Sequence, residues 1–287
     1  MKIVFWSNVH GQTGTTSNTA AVATYLSLNY RFKILLMHNE FYKTSLDHIF
    51  LSSNELKRKD DFFDIGIDAL MRYSKYNKLT KSSFSNYTTT LIKNRLDLLR
   101  GTQKIDAKNF YKDFLRVSKN IYYNSEKFYD FIITDASGGF EYCKEILENA
   151  DIIVINLNQN ICVINDFFDS QVYKIYKDKC IYLFGSYNGK SKYNLKNICR
   201  KVKYLKKDLS MFSRVKNHPS VGKIPYNIEF LDASNKGDII SFFYKNKNID
   251  NKNSNYNYFK SIDEFCIKLL KKLKIKPDSK VIKENLC

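Results

Sequence analysis

Short apolar runs alternate with longer amphipathic stretches along the chain. Ile3-Val4-Phe5-Trp6, Lys33-Ile34-Leu35-Leu36-Met37, Phe131-Ile132-Ile133, Ile152-Ile153-Val154-Ile155 and Cys180-Ile181-Tyr182-Leu183-Phe184 are nearly continuous in hydrophobicity. Such runs predict strands buried on both faces, as in parallel sheets. Between them apolar residues recur at helical spacing. Ala20, Ala21, Ala23 and Leu26 predict a helix over about 16–28, and Ile161, Val163, Ile164, Phe167 and Phe168 predict another. Phe259, Ile262, Phe265, Leu269 and Leu273 share a face of a last helix expected over 258–274. The region 41–94 reads as helical pieces, notably 62–76, where Phe63, Ile67, Leu70, Met71 and Tyr73 form a core-facing stripe. Arg95 to Thr102 predicts a further strand and the loop at its C-terminal end, where Arg100 or Lys104 could meet a phosphate. Strands alternating with helices predict an α/β fold, a single doubly wound and mainly parallel sheet flanked by helices. The domain is expected over 1–275, with a Lys/Asn-rich surface loop at 245–257 and a loose tail at 276–287.

The candidate chemistry sits where the first strand gives way to the first helix, in Ser7-Asn8-Val9-His10-Gly11-Gln12-Thr13-Gly14-Thr15-Thr16-Ser17-Asn18. Gly11 and Gly14 let the backbone bend, and the helix points its free N–H groups and positive dipole end back at the turn. A turn of this build holds an anion, although an ordinary strand-to-helix turn with an N-cap threonine has the same composition. Asp135 ends another apolar run beside small residues. There it would deliver a carboxylate to the sheet's C-terminal edge, or else cap the helix expected near Phe140. His38 and Glu40 close the second strand, either as polar caps or as catalytic groups. A neutral imidazole cannot replace a carboxylate near magnesium without changing the charge balance.

Composition narrows the class. With 287 residues, 44% hydrophobic and 26% charged, the chain is of ordinary globular make-up and long enough for a substantial core. No stretch approaches the roughly 18 uninterrupted apolar residues of a membrane span. Met1-Lys2 runs straight into a strand without a signal-peptide pattern, so a cytoplasmic protein is expected. The six cysteines form no Cys-x-x-Cys pair and read as small buried hydrophobes, and no structural zinc site is expected. A net charge of +18 invites nucleic acid or an anionic membrane. The joint richness in Lys, Asn, Ile, Tyr and Phe, which AT-rich coding alone produces, makes that a weak signal. No Gly-x-Gly-x-x-Gly is present, which disfavours a dinucleotide-binding enzyme.

The segment His10-Gly11-Gln12-Thr13-Gly14-Thr15-Thr16-Ser17 resembles the deviant Walker A motif of ParA/MinD P-loop ATPases, Lys-Gly-Gly-x-Gly-Lys-Thr-Thr/Ser. His10 and Thr15 stand where that motif has lysines, and Gln12 replaces a glycine; Thr16 keeps the magnesium-binding hydroxyl. Tyr129 to Gly139 resembles the Walker B strand, with Asp135 as its carboxylate. In the family's pattern the second strand ends in Asp-x-Asp, against His38 and Glu40 here. Ser186 to Lys192 is similar to the loop near the nucleobase, which makes Asn188 a candidate base contact, although Asn188-Gly189 is also ordinary turn chemistry. Val221 to Asn227 resembles the Gly-x-Ile-Pro-Tyr/Phe segment whose backbone, Pro225 included, lies along the adenine. Phe230 to Gly237 resembles the short helix that follows.

The resemblance covers most of the chain and implies ATP or ADP with magnesium, bound by a homodimer whose association follows the nucleotide. Altered loops are similar to those of TadZ/CpaE-like members associated with pilus and secretion assembly. The missing lysines and strand-end aspartate imply weak hydrolysis, since one lost transition-state donor costs about 10²- to 10³-fold. The alternatives are a nucleotide-independent dimeric scaffold and a partition ATPase that contacts DNA nonspecifically. The last helix either packs on the sheet or makes a peripheral contact with an anionic membrane, as MinD-like tails do.

Overall fold

A computed structural model of the chain describes residues 1–30, 32–41, 45–60, 65–102, 106–136, 140–202 and 220–276. The apolar runs become strands β1 (Lys2–Trp6), β2 (Ile34–His38), β4 (Leu96–Leu99), β5 (Phe131–Asp135), β6 (Ile152–Leu157), β7 (Cys180–Tyr187) and β8 (Val221–Pro225), and β3 (Thr89–Ile92) joins at one edge. They form one sheet in the order β3-β4-β2-β5-β1-β6-β7-β8, parallel except for the β3–β4 pair.

Alternate side chains of each strand enter opposite layers, which is why the runs are apolar throughout. Val4, Trp6, Ile132, Ile153 and Ile155 face one core, built with α4 (Ile67–Ser74), α6 (Ala107–Ser125), α7 (Phe140–Glu148), α8 (Ile161–Asp169) and α9 (Gln171–Tyr176). Ile3, Phe5, Phe131, Ile133 and Val154 face the other, built with α1 (Thr15–Asn29), α2 (Ser45–Phe50), α11 (Ile228–Lys236), α12 (Ile239–Lys245) and α13 (Tyr256–Lys272). The other α-helices among the described residues are α3 (Ser53–Asp60), α5 (Lys81–Tyr87) and α10 (Leu195–Lys201).

Strand β1 lies between β5 and β6. The chain leaves β1 towards β2 on one side and later crosses from β5 to β6 on the other, so the loop after β1 opens into the crevice where the winding direction reverses. Open α/β sheets bind ligands there.

Two expectations change. The sequence between 41 and 94 is not helical throughout: Thr89–Ile92 pairs antiparallel with β4 through a tight turn in which Asn94 has φ 59°. A four-residue edge strand is too short for its period to stand out from flanking helices. The stretch at 245–257 is mostly exposed but pinned. Asn255 Nδ2 donates to Asn246 Oδ1 at 3.1 Å, and Asn227 Nδ2 donates to Asn255 Oδ1 at 2.7 Å. Phe63, Lys104 and the tail at 277–287 fall outside the described residues.

The last helix packs inward. Phe259, Ile262, Phe265 and Leu269 are buried, and Phe265 lies against Gly222 of β8. Its apolar face is used inside the protein, which removes the membrane-binding version of this helix. No described helix is long and apolar enough to cross a membrane. A Cβ at Gly222 would come within 2.3 Å of Phe265 Cδ2, whereas one at Gly189 would meet nothing closer than 3.8 Å. Gly222→Ala is therefore expected to destabilise the fold by about 1–3 kcal/mol, and Gly189→Ala to leave it unchanged. Chemical denaturation followed by circular dichroism reads both, and equal midpoints for the two variants would contradict this packing.

Candidate functional site

The loop after β1 is held from below by its neighbours. Gly14 adopts a left-handed conformation with φ 68° and ψ 30°, and Gly11 has φ 74°. The first intrahelical bond of α1 runs from Asn18 N–H to Gly14 O at 2.8 Å, so the N–H groups of Thr15, Thr16 and Ser17 precede the helical ladder. The N-cap is a glycine without a side chain, and the first turn holds no acidic residue, which leaves the positive end of the helix unbalanced.

Asn18 Nδ2 donates to Asn156 Oδ1 at 2.9 Å inside the protein, tying the helix start to β6. A Cβ at Gly185 of β7 would lie 2.2 Å from Thr13 O and 2.7 Å from Asn18 Nδ2. Only glycine lets the loop settle onto β7 at this distance. Above the loop opens a cleft of about 1200 Å³, large enough for an extended ligand.

Parallel register brings Asp135 to the same level as Phe5 and His38. Asp135 is 1% exposed, and neither carboxylate oxygen has a hydrogen-bond partner at normal geometry. Burial pushes its pKa up to about 6; the nearby Thr16 hydroxyl and the charge of His38 oppose that rise, and Glu40 adds to it. A hydroxyl and an unsatisfied carboxylate side by side form the hard oxygen donor set that magnesium takes, so these two residues fit that ion. His10 Nε2 lies 3.8 Å from Glu40 Oε1 at the rim, with His10 largely in solvent. Among the described residues lining the cleft there is no lysine or arginine.

The residues singled out in the sequence separate into two groups. His10, Gly11, Gly14 and Thr15 to Ser17 line the cleft together with Glu40 and Asp135. Gln12, Thr13, His38, Asn188 and Pro225 are not part of its lining. Thr13 is buried, with its hydroxyl 3.0 Å from that of Thr15, and the Gln12 carbonyl accepts from Asn158 Nδ2 at 3.4 Å.

His38 is 2% exposed and bonds Asp47 Oδ1 through Nε2 at 3.2 Å, while Asp47 Oδ2 accepts from Gly101 N–H at 2.9 Å. Burial lowers the His38 pKa, but Asp47, Asp135 and Glu40 outweigh it and hold it above its ordinary value. The imidazole thus braces β2 against α2 and the end of β4. Pro225 pairs with Tyr187, the residue before Asn188, at the β7–β8 end. The Asn188 Oδ1 accepts from Lys190 N–H at 2.9 Å, and its main chain exchanges bonds with Gln159. Arg100 is also withdrawn, 2% exposed and donating to Leu56 O at 3.4 Å. The sequence reading missed the contributions of Asn156 and Gly185. A lone asparagine within Ile152–Leu157 was the available signal for the first; the second depends on a close approach that only coordinates reveal.

Solved structures of similar shape were found over most of the chain. A ParA family ATPase from Chlorobium tepidum superposes with a TM-score of 0.66 at 15% identity, over 92% of this chain and 98% of that one. The cell division ATPase MinD of Pyrococcus furiosus gives 0.61 at 15% identity, over 94% and 98%. MinD of Pyrococcus horikoshii, complexed with Mg-ADP, gives 0.59 at 14% identity, over 96% and 98%. The chain has the ParA/MinD fold. No protein-family model and no curated protein matches its sequence. Within the ParA/MinD fold the loop after β1, Thr16 and Asp135 occupy the crevice that the topology leaves open.

The pKa of Asp135 sets a pH signature. Between pH 3.8 and about 6 the folded chain binds more protons at this site than the unfolded chain, so stability falls as pH rises through that window. Above it the ionised carboxylate costs on the order of 3 kcal/mol. Asp135→Asn is therefore expected to raise the melting temperature in metal-free buffer at pH 8, with the gain fading by pH 5. A variant no more stable than the parent at pH 8 would mean that the carboxylate is satisfied after all.

Proposed function

We propose that the chain is a nucleotide-binding positioning protein of ParA/MinD type. It takes ATP or ADP with magnesium, associates as a homodimer when ATP is held, and turns ATP over weakly. The observation that carries this reading is the buried Asp135 carboxylate beside the Thr16 hydroxyl, at the mouth of a loop whose first N–H groups precede the helical ladder. The main-chain amides of Gly11 to Ser17 would hold the phosphates, and Thr16 and Asp135 the cation. Magnesium, when bound, would neutralise the triphosphate and stabilise charge on its oxygens.

Weak turnover follows from the side chains. Thr15 offers a hydroxyl where a lysine would bring charge, the described lining holds no lysine or arginine, and His38 is bound to Asp47 below the cleft. Glu40, at the rim of the cleft, is the carboxylate left to orient an attacking water. The altered loop also underlies the proposed setting, a TadZ/CpaE-like role in pilus or secretion assembly. A second reading, a dimeric scaffold indifferent to nucleotide, draws on the same absence of cations.

Thermal shift and light scattering test these readings. Saturating Mg-ATP is expected to stabilise the protein, by about 2.7 kcal/mol at one hundred times Kd, and to increase its mass in solution. Thr16→Ala should lose the magnesium-dependent part. Steady-state phosphate release should stay at least about 10²-fold below a lysine-bearing P-loop switch. A dimer of unchanged mass and stability with and without Mg-ATP would favour the scaffold instead.

A further inference from the structure

The described lining of the cleft takes its cationic side chains from one residue type. The chain carries 47 lysines and arginines, none of them among the described lining, whereas two of its four histidines are there, His10 and His48. His10 comes from the loop after β1 and is largely in solvent, with Nε2 3.8 Å from Glu40 Oε1. His48 is an exposed residue of α2. Its neighbour Asp47 is occupied elsewhere, by His38 Nε2 and the Gly101 N–H. The other titratable groups of the described lining are Glu40 after β2, Asp135 at the end of β5, Tyr111 on α6 and Tyr142 on α7. Burial pushes the Tyr111 phenol up to about 12, so it stays neutral. Helices α1, α11 and α12 pack on α2. Helix α1 has no charged residue, and Glu229, Asp232 and Lys236 of α11 and Lys245 of α12 do not line the cleft.

We propose that His10 and His48 are the cationic contacts of the phosphates held in this cleft, so that nucleotide occupancy is coupled to proton uptake. The proposal rests on the nucleotide reading above and adds a regulation to it. Histidine is the side chain whose ordinary titration falls between roughly pH 5 and 8. The charge that a lysine would bring at any pH in that range is therefore supplied here only towards its acidic end. Phosphate oxygens beside an imidazole favour its protonated form, and the linkage is reciprocal: protonation strengthens anion binding, and rising pH weakens it. Asp135 acts in the opposite sense towards a metal-bound ligand. Its carboxyl, pushed up to about 6, must ionise to hold a cation, so its contribution grows as pH rises.

Both histidines are exposed, so substitutions there are expected to leave the fold intact, which circular dichroism checks. In calorimetric titrations with Mg-ATP, the double variant His10→Gln/His48→Gln should bind about tenfold more weakly than the parent near pH 5.5, and within about twofold of it near pH 8. The ratio of variant to parent at each pH removes the titration of ATP and of Asp135, which both proteins share. His10→Lys/His48→Lys carries its charge throughout and should bind Mg-ATP about tenfold more tightly than the parent near pH 8. A loss of affinity from altered structure would be the same at both pH values. A pH-independent ratio for the glutamine variant, or a lysine variant no tighter than the parent near pH 8, overturns the proposal and leaves the nucleotide reading standing. Mg-ATP that binds the parent at neither pH overturns both.

Discussion

Asp135 ends β5 with both carboxylate oxygens inside the protein, and an ionised group there is costly unless a cation or a set of donors reaches it. The fold does little to relieve it. The register that places Asp135 level with His38 is the same one that closes the sheet's central strands, so the residue cannot be withdrawn without disturbing β1 and β2. His38 contributes charge at a distance while its Nε2 stays with Asp47. The site is therefore built around a deficit of positive charge, and the neighbouring loop, with its unbalanced helix dipole, adds an anion's worth of attraction beside it. Cation and anion are each favoured where the other is also needed.

That deficit is local. The chain carries 47 lysines and arginines against 29 acidic residues, yet none of the basic side chains is among the described lining of the cleft. Exposed charges beyond about 10 Å are largely screened at moderate salt, so the +18 balance does little for a ligand in the crevice. Net charge here speaks to the outer surface. The chemistry of the site is set by backbone amides, hydroxyls, two carboxylates and a rim histidine.

The fold was legible because its strands are buried on both faces and so appear as unbroken apolar runs, bounded by loops that carry glycine or polar residues. Strand β8 and the helix after it were recoverable through the resemblance of Val221 to Asn227 and of Phe230 to Gly237, and Gly237 does end that helix in the left-handed region with φ 70°. What escaped was whatever depends on contacts between distant segments. His38 read equally well as a catalytic group or a cap until Asp47, nine residues on, was seen to bond it. Asn188 offered turn chemistry and base contact with equal force, and its side-chain oxygen proved to be occupied by Lys190 N–H.

The departures in the loop are confined to side chains, which bears on why a phosphate site could outlast its catalytic groups. Gly11 and Gly14 hold the left-handed conformations, Gly185 keeps β7 close beneath Thr13, and Asn18 with Asn156 anchors the helix start. These features orient main-chain N–H groups, which meet ground state and transition state alike. The lysines of the resembled motif would add charge where negative charge is redistributed during transfer. Interactions felt equally in both states strengthen binding without lowering the barrier, whereas those specific to the transition state set the rate. A chain that keeps the first set and lacks the second retains the means to couple ligand occupancy to association while losing speed of turnover. Under the proposed nucleotide-gated reading, that division is physically coherent.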